Sequence, residues 1–232
     1  MDCGIFDAIF WYIKDAGFMS KLLFLLISIT AGFQINAKPL SINVLTADNQ
    51  GLANAVVYLT SKNDQSDGIT NTVSIMDQVN TQFLPHILAI QKGSQVRFPN
   101  SDSIKHHVYS FSPAKTFELQ LYKELESDPL LFSKPGVVAL GCNIHDWMLG
   151  YILVVDTPYF NKTNIDGNVS LELPDGEYQL NVWHPRIQDE LSTLSRMITM
   201  SNKSEINIIL ASPLSPDLIK YEDTTDEFSD YE

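Results

Sequence analysis

The chain has 232 residues, 44% of them hydrophobic and 19% charged, and a formal net charge of −13. That length suits one large domain or two small ones, and that composition suits a globular protein rather than a disordered or membrane-spanning one. The negative charge argues against nucleic acid as a partner and favours a positively charged protein surface.

Residues 22–31, LLFLLISITA, form an apolar run after Lys21, and Ala37 follows at a small-residue cleavage position. A charged start, an apolar middle and a small-residue end together predict a secretory signal peptide over 1–37. The run is short for a spanning helix. Met19 directly precedes it, so residues 1–18 read as a mis-assigned start. The competing reading is an uncleaved membrane anchor. Cleavage after Ala37 leaves 13 basic and 25 acidic residues, a net of −12, and removes Cys3. Cys142 then stands alone. A lone cysteine in an exported protein has no internal disulfide partner, so it is free, intermolecular or a metal ligand.

Strand signals follow. LSINVLTA alternates Leu40, Ile42 and Val44. AVVYLTS, SQVRFPN, HVYSFS, FELQLY, GVVALG and GYILVV are short runs rich in Val, Ile, Tyr and Phe. They are divided by the turn signals DNQG (48–51), KG (92–93), NSDS (100–103) and KPG (134–136). Short strands at this spacing predict an all-β sandwich or barrel. YKELESDPLL has room for a helical turn, limited by Pro129. From about residue 158, NVSLEL, GEYQLNVWHP, RMITMS and EINIIL give a second set of strands joined by turns such as PDG (174–176). They predict either a small β-sandwich over 158–212 or extra strands on the first domain, 38–157. The end of the chain, 213–232, is acidic. From Asp217 onward its side chains sum to −6, as expected of a solvated, disordered tail.

GCNIHDWM, residues 141–148, places Cys142, His145 and Met148 within one short loop. Thiolate, imidazole and thioether form a soft set that suits copper and not magnesium or calcium. Structural zinc would need a second thiolate or more histidines. The missing partner is another imidazole, and FPNSDSIKHHVYSFS (98–112) offers His106 and His107. Neighbouring strand residues point to opposite faces, so one of the two reaches the metal and not both.

These two segments resemble the ligand segments of the cupredoxins, the blue copper proteins. Asn100, His106 and Val108 look like the first segment, and GVVALGCNIHDWM looks like the second. The C-x-x-H-x-x-M spacing is similar to that of amicyanin, and the wider stretch to plastocyanin-like proteins labelled methylamine utilisation proteins. The resemblance covers roughly Lys38–Thr157 and implies a Greek-key cupredoxin β-sandwich. The later strands look like a carboxypeptidase-regulatory type of small β-sandwich. The family pattern implies one type 1 copper ion held by His106, Cys142 and His145, with Met148 as a weak axial ligand and Asn100, His107 and Trp147 around them. His107, Asp146 and Trp147 depart from the family: asparagine is common at the first, and Pro-Phe is typical of amicyanin at the other two. Trp147 reads either as a cover or docking residue or as core packing. His86, after Pro85, reads as standing at a strand start, and His184 reads as structural.

The resemblance implies a periplasmic electron carrier between redox proteins, with a c-type cytochrome or a dehydrogenase as partner. The alternative is a protein for copper delivery or storage, and a third reading is a structural β-protein with a vestigial site. Catalysis is not expected. Five histidines are too few for the trinuclear cluster of a multicopper oxidase, and no Ser-His-Asp pattern, P-loop or dinucleotide fingerprint is present.

Overall fold

A computed structural model describes residues 37–61, 72–123, 128–200 and 205–217. The expected signal peptide up to residue 36, the central part of the possible helical turn at 122–131, and the tail from 218 lie outside the described residues. Among the described residues, no helix is long and apolar enough to cross a membrane.

The described chain is all-β apart from a single helical turn at Leu191–Leu194. Its strands in chain order are β1 (Lys38–Leu45), β2 (Val56–Thr60), β3 (Val73–Ile75), β4 (Asp77–Val79), β5 (Gln82–Leu84) and β6 (Ile87–Gln91). Next come β7 (Gln95–Arg97), β8 (His106–Ser112), β9 (Lys115–Tyr122), β10 (Leu130–Leu131), β11 (Gly136–Cys142) and β12 (Leu149–Val155). The last are β13 (Phe160–Lys162), β14 (Asn168–Leu173), β15 (Gly176–Trp183), β16 (Arg196–Met200) and β17 (Glu205–Ile209).

The sheets do not follow the expected division at residue 157. β1 runs antiparallel to β14 and parallel to β17, and β2 lies between β13 and β15 in the sheet β13-β2-β15-β16. The first two strands therefore belong with the last five. Their two sheets enclose one core, in which Leu40, Ile42 and Val44 of β1 meet Val57 and Leu59 of β2 and Leu180 and Val182 of β15. The segment from β3 to β12 is inserted between β2 and β13. It forms the five-stranded sheet β6-β12-β11-β8-β9 together with the small sheets β10-β7-β3 and β4-β5. Phe83, Phe98, Phe132, Val108, Leu140 and Ile152 fill a second core there.

A third cluster joins the two sandwiches. Ile87, Leu153 and Val155 of the five-stranded sheet pack with Val56 and Trp183 of the four-stranded one. This explains the apolar runs in β2 and β12. Val56 and Val57 are both buried, and so are Ile152, Leu153, Val154 and Val155, because each of these strands has a core on both faces. One face of the sheet that carries Cys142 is thus partly covered by the other sandwich, while its opposite face holds the core beside the candidate site.

Candidate metal centre

Two strands bring the distant segments together. β11 pairs antiparallel with β8, with Cys142 opposite Val108, and the Asn143 N–H donates to the His107 carbonyl just beyond. Side chains alternate along β8, so His106 and Val108 share a face while His107 and Tyr109 take the other. The burial follows: His106 is fully buried, and His107 is partly exposed. His107 Nε2 lies 2.8 Å from Glu118 Oε1 on β9, a close approach without hydrogen-bond alignment. It faces away from Cys142.

Cys142 Sγ stands 3.8 Å from His106 Nδ1 and 3.9 Å from His145 Nδ1. The ligand atoms of the three residues all lie within 4.8 Å of one another. Among the described residues, no other three or more His, Cys, Asp or Glu side chains gather in this way. Bonds of about 2.3 Å to sulfur and about 2.0 Å to nitrogen, the lengths zinc shows, would separate the two atoms by roughly 3.7 Å at a trigonal angle. The two sulfur-to-nitrogen spacings are close to that figure, so each imidazole stands from the thiol at the distance a shared metal ion requires. Cys142 is a free, buried thiol.

His145 follows in the turn after β11. The Met148 N–H donates to its carbonyl at 3.0 Å, which closes the loop and returns the chain to β12. Met148 is 1% exposed and belongs to the same core cluster as Cys142. Trp147 is 46% exposed, so it is not core packing. Its ring centroid lies 5.4 Å from that of His145, and its Nε1–H donates to Thr81 Oγ1 at 3.4 Å. The His106 and His145 rings are 5.0 Å apart. Asp146 is exposed.

Asn100 is buried and acts through the loop that leads into β8. Its Nδ2 donates to the carbonyls of Ile104 and Tyr122, and its Oδ1 accepts from the Asp102 N–H. Asp102 lies in the turn signal NSDS, and its residue type and spacing there mark no site role. Its Oδ2 lies 2.7 Å from His106 Nε2, with the carboxylate only 10% exposed. Burial pushes the Asp102 carboxyl up, but hydrogen bonds from the Thr81 amide, His106 and the Asn80 amide outweigh it and hold the group below its ordinary value.

His86 and His184 stand apart from this cluster. His86 precedes β6 and its Nδ1 bonds to the Leu149 carbonyl. His184 follows β15, and its Nδ1 accepts the Arg186 N–H. Both flank a cavity of about 320 Å³ that Lys162, Arg186 and Asp217 also line.

No protein-family model matches the chain, and no curated protein matches it. Solved structures do match. A Cu-containing nitrite reductase from Thermus scotoductus SA-01 aligns with 49% of this chain at 21% identity and a TM-score of 0.36. The alignment covers 28% of that enzyme, so the chain spans little more than a quarter of its length. A reduced amicyanin mutant aligns with 42% of this chain and 99% of its own at 18% identity, with a TM-score of 0.31. An oxidised amicyanin mutant aligns with 44% and 99% at 17% identity, with a TM-score of 0.33.

Proposed function

We propose that the protein carries single electrons between redox proteins through one copper ion, held by His106, Cys142 and His145 with Met148 as a weak fourth ligand. The observation that carries this reading is the convergence of two imidazole Nδ1 atoms on one buried thiol, at 3.8 and 3.9 Å. Two imidazoles and one thiolate in a trigonal array are the donor set of blue-copper electron-transfer sites.

Copper bound there supplies a one-electron couple. The residues do the rest. Strands β8 and β11 hold His106 and Cys142 in a ladder, so the ligand positions change little between charge states. Burial of His106 and Cys142 keeps water from the thiolate. His145 is the less buried imidazole, with the exposed Trp147 and Ile144 near it in the loop, and this is the side at which an electron would enter or leave. In this reading the partners are redox proteins such as a c-type cytochrome or a dehydrogenase, and the charged-apolar N-terminal pattern supports a periplasmic location.

The alternative use of the same ligands is copper delivery or storage. Burial of the thiolate favours retention over release, since a handover site needs its sulfur within reach of an acceptor's. The deciding experiment cycles the copper-loaded protein repeatedly with a chemical oxidant and reductant in the presence of a competing Cu(I) chelator. A carrier gives a reversible one-electron wave and keeps its copper; transfer of the metal to the chelator within a few cycles favours delivery.

A further inference from the structure

We propose that Asp102 is the positioning residue for His106: its carboxylate holds the Nε2 proton of the ring, so that the Nδ1 lone pair is presented to the metal beside Cys142. The inference rests on the copper reading for its consequence but not for its geometry. An ionised carboxylate only accepts hydrogen bonds, so across the 2.7 Å contact it is the imidazole that donates. A neutral imidazole with its proton on Nε2 has its free lone pair on Nδ1, and Nδ1 is the atom 3.8 Å from Cys142 Sγ. With His106 fully buried and Asp102 10% exposed, little water competes for the bond.

Asp102 is itself held from three sides. The amides of Asn80 and Thr81 donate to its two oxygens at 2.5 and 2.9 Å. Its own N–H donates to Asn100 Oδ1, and Asn100 is tied to Ile104 and to Tyr122 of β9. Asn80 and Thr81 form the two-residue turn between β4 and β5, with φ of 50° and 56°. Positive φ at both positions suits the turn type that joins tight hairpins. It is unfavourable for β-branched Thr81. Strain of this kind persists where surrounding contacts hold it, and it clusters at functional sites. Here the turned backbone directs two successive amides at one carboxylate. The same turn accepts the Trp147 indole N–H through Thr81 Oγ1, so it touches the surroundings of both imidazoles.

The carboxylate also adds a fixed negative charge beside a site that already contains a thiolate. That charge favours the more positive metal state, so Asp102 stabilises Cu(II) more than Cu(I) and lowers the reduction potential.

The test compares the full-length protein with Asp102→Asn and Asp102→Ala. In the metal-free wild type, nitrogen-15 NMR is expected to show the His106 proton on Nε2, and the variants should lose that preference. After loading, Cu(II) affinity should fall about ten- to a hundred-fold, as is usual for outer-sphere partners. Cu(I) affinity should fall less, and each tenfold gap between the two raises the potential by about 59 mV. A wild-type proton on Nδ1, an unchanged tautomer in both variants, or equal weakening of both oxidation states would overturn the proposal. If the Nε2 proton depends on Asp102 but the wild type binds copper without blue colour, the copper reading fails while the positioning role stands. The wild-type tautomer is informative even if neither variant folds.

Discussion

Cys142 Sγ and His106 Nδ1 stand 3.8 Å apart although 36 positions separate the two residues in the chain. The antiparallel pairing of β8 with β11 brings them close: it sets Cys142 against Val108, and His106 is buried on the same face just beyond, where β8 shifts register against β9. The neighbouring His107 is excluded by the same alternation and sits against Glu118. Replacing His106 by Ala should therefore lower Cu(II) affinity at least about a hundred-fold, since a ligand is lost, whereas His107→Ala should leave it within about threefold. Isothermal titration with Cu(II) distinguishes the two.

Asn100 braces the loop before β8 through hydrogen bonds with Ile104 and Asp102 and ties it to β9 through a third, to the Tyr122 carbonyl. Asn100→Ala strands buried carbonyl and amide groups. It should cost about 2–3 kcal/mol of stability, read as a lower denaturation midpoint of the metal-free protein. Copper affinity should fall with it, because Asp102 loses its brace.

Gly150 is the second residue of the return strand β12, directly behind the ligand loop, and a Cβ built there would lie 2.8 Å from Cβ of Phe83 and 2.9 Å from its ring. Phe83 is 2% exposed in the core beside the site and is held at its own Cβ, so it has little room to give way. Gly150→Ala should destabilise the protein by about 1–3 kcal/mol through overpacking. Urea unfolding measures the loss.

His184 is buried, and burial, with further contributions from Arg186 and His86, pulls its pKa down to about 4 from 6.5. A histidine held below its unfolded value is kept neutral by the fold. Its contribution to stability is complete above pH 6.5 and is lost as the pH falls from 6.5 towards 4, because the unfolded chain takes up the proton first. The loss amounts to at most about 3 kcal/mol. Asp217 and Lys162 face the same cavity, so the comparison uses His184→Gln, which keeps them unchanged. The wild type should lose stability over this interval more steeply than the variant in denaturant unfolding at stepped pH.

Most of the strands were legible because one of their faces is buried and the other is not. Leu40, Ile42 and Val44 in β1 alternate cleanly, as do Val169, Leu171 and Leu173 in β14. Strands β3 to β5 were not legible. They are short, and the turn between β4 and β5 uses Asn80 and Thr81 without the glycine that usually marks it. The partnership of β1 with β17 left no local mark either, since parallel pairing across most of the chain is a tertiary choice. The continuous apolar runs of β2 and β12 did carry a signal of burial on both faces, but only the stacked sandwiches reveal what covers the second face. In the metal centre, Cys142, His145 and the pair at 106–107 could be read from residue type and spacing. Asp102 could not, because the four residues to His106 form no helix, so nothing in the sequence marks a contact between them.

In the proposed site, Cys142 is a copper thiolate flanked by His106 and His145. That role of Cys142 is tested most directly by the visible absorption spectrum of the Cu(II)-loaded protein beside that of Cys142→Ala. The wild type is expected to show the intense blue band of thiolate-to-copper charge transfer, which reduction bleaches and reoxidation restores, and the variant to show none. A colourless wild-type complex, or a blue band that survives the loss of Cys142, would contradict the account.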